Sequence, residues 1–137
     1  MDLSAALELS PTGDRPRADR AQGTLIGSRC GACGTSVWPA RAVCHRCGSA
    51  EVASVPFARS GSLLTFTEVH VPRAGLETPY TLGQVRIDED GPVVFGHIRG
   101  LAADAAVPLR VSLHLAEEPD DVPWYWFEPD PESPGAE

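Results

Sequence analysis

Hydrophobic positions along the chain fall into two regimes. From Thr24 to about Arg59 they come as short pieces, TLIGSR, SVWPA and VASVPFAR, set around two pairs of cysteines. After Gly61 they lengthen into strands. SLLTFTEVHV (62–71) is rich in β-branched and aromatic residues, YTLGQVRID (80–88) runs to the turn DEDGP, and PVVFGHIR (92–99) follows as its hairpin partner. LRVSLHL (109–115) alternates Leu109, Val111, Leu113 and Leu115 with Arg110, Ser112 and His114, the period-two signature of a half-buried strand. PWYWFEP (123–129), bracketed by Pro123 and Pro129, is a fifth short strand, expected to turn Trp124 and Trp126 one way and Tyr125 and Phe127 the other. GLAADAAVP (100–108) leaves room for a single helical turn between the third and fourth strands. Five strands broken after the third are the count and interruption of a small closed barrel of the OB type; a sandwich of similar size differs only in strand order.

The chain before these strands reads differently. Residues 2–9 place Leu3, Ala6 and Leu7 at helical spacing, too short a helix to stand alone in water. SPTGDRPRADRAQG (10–23) has no apolar periodicity and reads as a linker. The expected organisation is thus a short helix and linker (1–22), a cysteine ribbon (23–59), a barrel (60–130) and an acidic disordered tail (131–137).

Charge sharpens this division. The formal charge of −8 is carried wholly by the C-terminal part, where Glu117, Glu118, Asp120, Asp121, Glu128, Asp130, Glu132 and Glu137 meet no base. The body before Glu117 is neutral. That argues against nucleic acid, because an OB module that binds single strands needs a basic stripe interleaved with exposed aromatics; such a module is nevertheless the alternative reading of a ribbon plus a barrel. No stretch approaches the ~18 apolar residues of a spanning helix, and MDLSAALELS lacks the basic start of a secretory signal, so no membrane association and a cytoplasmic location are expected.

In a reducing compartment four cysteines point to metal or redox chemistry rather than disulfides. RCGACG (29–34) and VCHRCG (43–48) place Cys30, Cys33, Cys44 and Cys47 in a C-x2-C-x10-C-x2-C pattern, each pair followed by a glycine, Gly34 and Gly48. Two-residue spacing turns both thiolates of a knuckle toward one ion, and four thiolates close a tetrahedral shell with no position for water or substrate. A structural Zn²⁺ site is the reading, with iron in a rubredoxin-like site as the alternative. A segment of this size lacks an adequate core of its own, and a structural metal of this kind supplies the missing folding free energy.

Catalytic constellations are absent from the sequence: no phosphate loop, no G-x-S-x-G, no H-E-x-x-H. His70, His97 and His114 each fall in an expected strand and read as structural or edge histidines, His45 as an exposed one, and Asp88, Glu89 and Asp90 as a solvated turn.

GTLIGSRCGACGTSVWPARAVCHRCGS (23–49), GSLLTFTEVHVP (61–72), the TPY at 78–80 and the Phe-x-Pro at 127–129 together resemble the zinc-ribbon/OB-fold family of acyl-CoA-associated proteins once called domain of unknown function thirty-five. The resemblance spans residues 23 to about 130. It departs in a shortened N-terminal arm, in His45 where the family usually has Pro, and in Val107-Pro108-Leu109 where it usually has Gly-Met before the fourth strand. What it implies is a non-catalytic accessory subunit. Such a subunit binds a thiolase-like or ketosynthase-like enzyme, a 2:2 complex being the natural stoichiometry, and helps hold or pass acyl-CoA. By matching position, Cys30, Cys33, Cys44 and Cys47 are the metal ligands, and Trp38, Arg41, His70, Arg73 and Tyr80 lie near acyl-CoA or a partner surface. To these the two-faced aromatic strand adds Trp124 and Trp126.

Overall fold

The computed structural model describes residues 17–130 other than 74, 103 and 119. The expected helix at 2–9 and the tail at 131–137 lie outside the described residues. Nine strands follow in order: β1 (Ala18–Asp19), β2 (Thr24–Cys30), β3 (Ser36–Val37), β4 (Val52–Pro56), β5 (Ser60–Val69), β6 (Tyr80–Ile87), β7 (Val93–Ile98), β8 (Leu109–Leu115) and β9 (Tyr125–Pro129). No helix forms among the described residues, and none there is long and apolar enough to cross a membrane.

The first four strands make the ribbon sheet. β2 is its centre, antiparallel to β4 from Ile26↔Pro56 to Cys30↔Val52, to β3 at Ser28↔Val37 and to β1 at Ala18↔Leu25. The last pairing corrects the described part, residues 17–23, of the linker expected at 10–23. Asp19 folds the chain into a turn by accepting the Ala21 and Gln22 amides on its carboxylate, and Arg20 reaches across to donate to the Ala116 and Glu117 carbonyls. Residues 17–23 are therefore part of the ribbon, tied to the barrel by one guanidinium.

The remaining five strands close a barrel in the order β5-β6-β7-β9-β8, with β9 parallel to β7 and antiparallel to β8. Closure excludes the sandwich and gives the OB order. Alternation works as the sequence implies: Leu109, Val111 and Leu113 of β8 are buried while Arg110 is exposed. A register shift between Leu63 and Thr65 lets β5 coil far enough to pair with β6 along its length and with β8 at one end. The β6–β7 turn carries Glu89 and Asp90 at φ 61° and 60°, the two left-handed central residues of a type I′ hairpin. The described residues of 100–108 contain no helix: Leu101 makes an isolated bridge, and the Ala105 amide donates to the Ala102 carbonyl at 3.1 Å in a single turn.

One apolar core serves both parts. Leu25 and Phe57 of the ribbon join Leu63, Val85, Ile87, Val94, Ile98, Leu109, Val111, Leu113 and Phe127 of the barrel in a single buried cluster. Phe127 has no exposed surface and is the plug contributed by β9. The strand begins only at Tyr125, so Trp124 precedes it, and the expected two-faced arrangement holds for Trp126 and Phe127 but not for Trp124. Trp124 instead packs beside Tyr125, with ring centroids 4.6 Å apart. β9 pairs with β7 only at His97 and Ile98, and Tyr125 fills the gap beyond: its ring lies where a Cβ on Gly96 would approach to 2.8 Å, and its hydroxyl donates to the Phe95 carbonyl at 2.6 Å.

Candidate functional site

The ribbon gathers the Sγ atoms of Cys30, Cys33, Cys44 and Cys47 to within 4.8 Å of one another. Two near-equivalent turns do this. Gly34 N–H bonds to the Cys30 carbonyl at 2.9 Å and Gly48 N–H to the Cys44 carbonyl at 3.0 Å, each glycine at a φ near the left-handed region, 80° and 78°. Backbone amides then point at the sulfurs: Ala32 and Cys33 to Cys30 Sγ at 3.3 and 3.4 Å, Arg46 to Cys44 Sγ at 3.4 Å.

The donor set fits a tetrahedral cation. Bonds of ~2.3 Å from a central ion require sulfur–sulfur edges of about 3.8 Å, and the Cys30–Cys47 and Cys33–Cys44 separations are 3.6 Å. The protonation pattern points the same way. The Cys33 amide, and after it that of Ala32, hold the Cys30 thiol below its ordinary value against the opposing effect of burial. The Thr35 hydroxyl and amide lower Cys33 to about 6. Cys47 is pushed up to about 12, because the pull of the Ser49 amide is outweighed by the neighbouring sulfurs and burial. A divalent ion makes four thiolates compatible at this spacing.

Trp38, in the loop between the knuckles, carries the ribbon onto the barrel. Its ring packs on Trp124 at 6.0 Å and edge-on to Tyr125 at 5.2 Å, and its indole N–H donates to the Arg17 carbonyl at 2.9 Å. Tyr125 continues to Phe127, so a run of rings links the cysteine loop to the barrel core. Arg41 sits on the same loop, its amide held by the buried Ser28 hydroxyl at 3.0 Å.

A second concentration of chemistry lies on the barrel. A cleft of about 560 Å³ is lined by residues that include Tyr80, Thr81, His97, Arg99, Val122 and Pro123. A smaller one of about 190 Å³ holds Arg73 with Tyr80, Phe95, His97 and Tyr125. Tyr80 and His97 are in ring contact at 5.2 Å. Burial first, and then the Arg99 and Arg73 guanidinia, hold the His97 imidazole below its ordinary pKa. His97 thus lines both clefts, more than the structural edge histidine expected of it.

The nominated residues therefore separate. Arg73 and Tyr80 meet at the 190 Å³ cleft, Trp38 and Trp124 meet at the ribbon–barrel seam, and Arg41 stands apart on the ribbon. His70 lies just past β5, exposed, with Nε2 at 3.1 Å from Glu68. Trp126 faces outward from β9, stacked on His114. Arg99 and His97 were not nominated. Their only signal is nearness to a strand end, which many residues share.

Comparison with known proteins agrees with this architecture. Residues 17–53 match the model for the ChsH2 rubredoxin-like zinc ribbon domain and residues 54–116 that for the ChsH2 C-terminal OB-fold domain. A DUF35 domain-containing scaffold protein of Methanocaldococcus jannaschii is 32% identical over 103 residues, covering 71% of this chain and 73% of that protein. The benzoylsuccinyl-CoA thiolase subunit BbsA of Thauera aromatica is 34% identical over 73 residues, 53% of this chain and 51% of the subunit. The chain spans about half the length of several of the curated relatives it matches. Among solved structures, a chain of the Ltp2-ChsH2(DUF35) aldolase superposes with a TM-score of 0.64 at 26% identity, over 84% of this chain and 98% of that one. With both of its parts matched in order and the scaffold protein aligned along most of its length, the chain belongs to the ChsH2-like DUF35 family, in which a rubredoxin-like zinc ribbon precedes an OB-fold domain.

Proposed function

We propose that this chain is a non-catalytic accessory subunit of a thiolase-like enzyme in the cytoplasm, and that it helps hold or pass acyl-CoA for that partner. The observation that carries the reading is the likeness, over 84% of this chain and 98% of the other, to a chain of the Ltp2-ChsH2(DUF35) aldolase. The relative that is a thiolase subunit adds to it. The chemistry of the clefts is consistent with a supporting role. His97 lines a cleft of substrate size against a tyrosine ring, and burial first, then two guanidinia, disfavour its protonated form. None of those neighbours is a carboxylate that would orient it as a base.

Zinc is the proposed ion. Four thiolates suit it, and its coordination shell is then complete, so the ion would stabilise the ribbon and leave the reaction to the partner. In that role Cys30, Cys33, Cys44 and Cys47 hold the metal while the Ala32, Cys33 and Arg46 amides stabilise the thiolates. The acyl-CoA or partner contacts proposed are Trp38, Arg41, His70, Arg73, Tyr80, Trp124 and Trp126. Arg73 and Tyr80 are the pair on the 190 Å³ cleft.

Reconstitution tests the proposal. A thiolase-like enzyme from the same genome is assayed on its acyl-CoA with and without the purified subunit. A rise in kcat/KM on addition, lost when the subunit is chelator-treated, is expected. Unchanged kinetics together with no detectable association would overturn it.

A further inference from the structure

A third cleft, of about 380 Å³, is lined by residues that include Glu117, Asp121 and Trp126, and it shares Arg99, Val122 and Pro123 with the 560 Å³ cleft. Arg99 therefore stands where the two meet. Its position follows from topology: the parallel register His97↔Trp126, continued by the Arg99 amide bonding to the Phe127 carbonyl at 2.9 Å, brings the end of β7 alongside the outward ring of β9.

The guanidinium lies over that ring, 4.0 Å from its centroid. Trp126 is in turn stacked on His114, 8° from parallel at 6.1 Å. Glu128 accepts the Trp126 indole N–H at 2.8 Å and stands 3.7 Å from His114 Nε2. The Glu128 carboxylate is thus engaged by the indole and the imidazole. Arg99 is held by its flat face, and among the described residues its edge donates no hydrogen bond. A guanidinium fixed by stacking with its N–H fork free is pre-organised for a planar or phosphate anion at little further entropic cost.

The two clefts differ in charge. Glu117 and Asp121 line the smaller one and repel an anion from that side. The larger has Glu77 as its acid and Arg99 as its base, and it shares Tyr80 and His97 with the 190 Å³ cleft that holds Arg73. The Tyr80 and His97 rings offer flat faces on the same wall. We infer that Arg99, positioned by Trp126, receives a phosphate of the nucleotide end of the acyl-CoA in the 560 Å³ cleft, leaving the acyl end to the partner enzyme. The inference rests on the acyl-CoA reading and assigns an orientation within it.

The test is calorimetric titration of the full chain, alone and with its partner enzyme, using CoA, adenosine 3′,5′-bisphosphate and pantetheine. CoA and the bisphosphate compete for one site and pantetheine does not displace either. Arg99→Gln weakens both by about 10- to 100-fold, the range for a lost charged hydrogen bond, and flattens the dependence of affinity on NaCl. Arg99→Lys recovers part of the loss. Trp126→Leu, which leaves the charge in place, weakens binding less and keeps the salt dependence; a purely structural effect would not separate the two variants in this way. Far-UV circular dichroism checks that each variant is folded. CoA binding unchanged in Arg99→Gln, or pantetheine competing where the bisphosphate does not, overturns the orientation while acyl-CoA binding stands. No CoA binding in either form of the protein overturns the acyl-CoA reading and the orientation with it.

Discussion

Replacing Trp38 with alanine should cost about 3 kcal/mol of folding free energy. Full burial of an aromatic ring is worth roughly 3–5 kcal/mol on truncation, and Trp38 is half-buried, which leaves about 2 kcal/mol by the same scale. Two ring contacts, at 6.0 Å to Trp124 and 5.2 Å to Tyr125, are lost with it; at about 0.5–1.5 kcal/mol each they raise the sum even after discounting for solvent. For a chain of this size 1 kcal/mol moves the midpoint by roughly 3–5 °C, so thermal unfolding followed by circular dichroism should shift down by about 10 °C. Trp38→Phe keeps a ring in place and forfeits chiefly the indole bond to the Arg17 carbonyl, a loss of about 1 kcal/mol. Combining Trp38→Ala with Trp124→Ala should cost less than the two singles added, by about 1 kcal/mol, because they share a contact. A shift under 2 °C for Trp38→Ala, or strict additivity of the pair, would falsify the claim that these rings join ribbon to barrel.

Other outcomes follow from the same geometry. Gly96→Ala puts a methyl 2.8 Å from the Tyr125 ring; it should lower stability by about 1–3 kcal/mol, the range for overpacking, measured by urea unfolding. Truncation before Pro123 removes Phe127 and the strand that closes the barrel; a soluble, metal-loaded, cooperatively folded product would show that β9 is dispensable. Arg110, through its hydrogen bonds, holds the Asp88 carboxyl below its ordinary value. That folded-state depression contributes stability above the unfolded pKa, near 3.9, and the contribution is lost as pH falls through the folded value. Asp88→Asn should therefore flatten the acid limb of the stability curve below about pH 4, and since the pair is exposed it should cost no more than about 1 kcal/mol at pH 7. Chelation at neutral pH should release one zinc per chain, read with a colorimetric indicator, and visible absorbance of the purified protein would identify iron instead.

Local signals were legible and long-range ones were not. Cys30, Cys33, Cys44 and Cys47 announce their site because each knuckle is a four-residue event, and β8 announces its buried face because alternation is local. The strand count and the break after the third pointed to a barrel, but order is a property of distant pairs, so closure through the parallel β7–β9 pair appears only in the structure. That one pairing decides what Arg99 and Trp126 can do together. The stretch at 17–23 looked like a linker because its structure is made elsewhere: Ala18 pairs with Leu25 and Arg20 binds carbonyls of the β8–β9 connection, contacts that leave no apolar periodicity. Trp124 was assigned to a strand face on alternation alone, yet the strand starts one residue later and the ring turns to meet Trp38. The Glu89-Asp90 turn shows the same limit in reverse: a solvated turn was read correctly from composition, but its two left-handed residues are imposed by the twist of the flanking strands.

The central claim is that this chain works as part of an assembly. Co-expression with a thiolase-like enzyme from the same genome, followed by size exclusion with light scattering, tests it most directly. The account predicts a single species heavier than the partner dimer by two chains of 14.6 kDa each. Separate elution of the two proteins at micromolar concentration, with metal and fold intact in this chain, would contradict it.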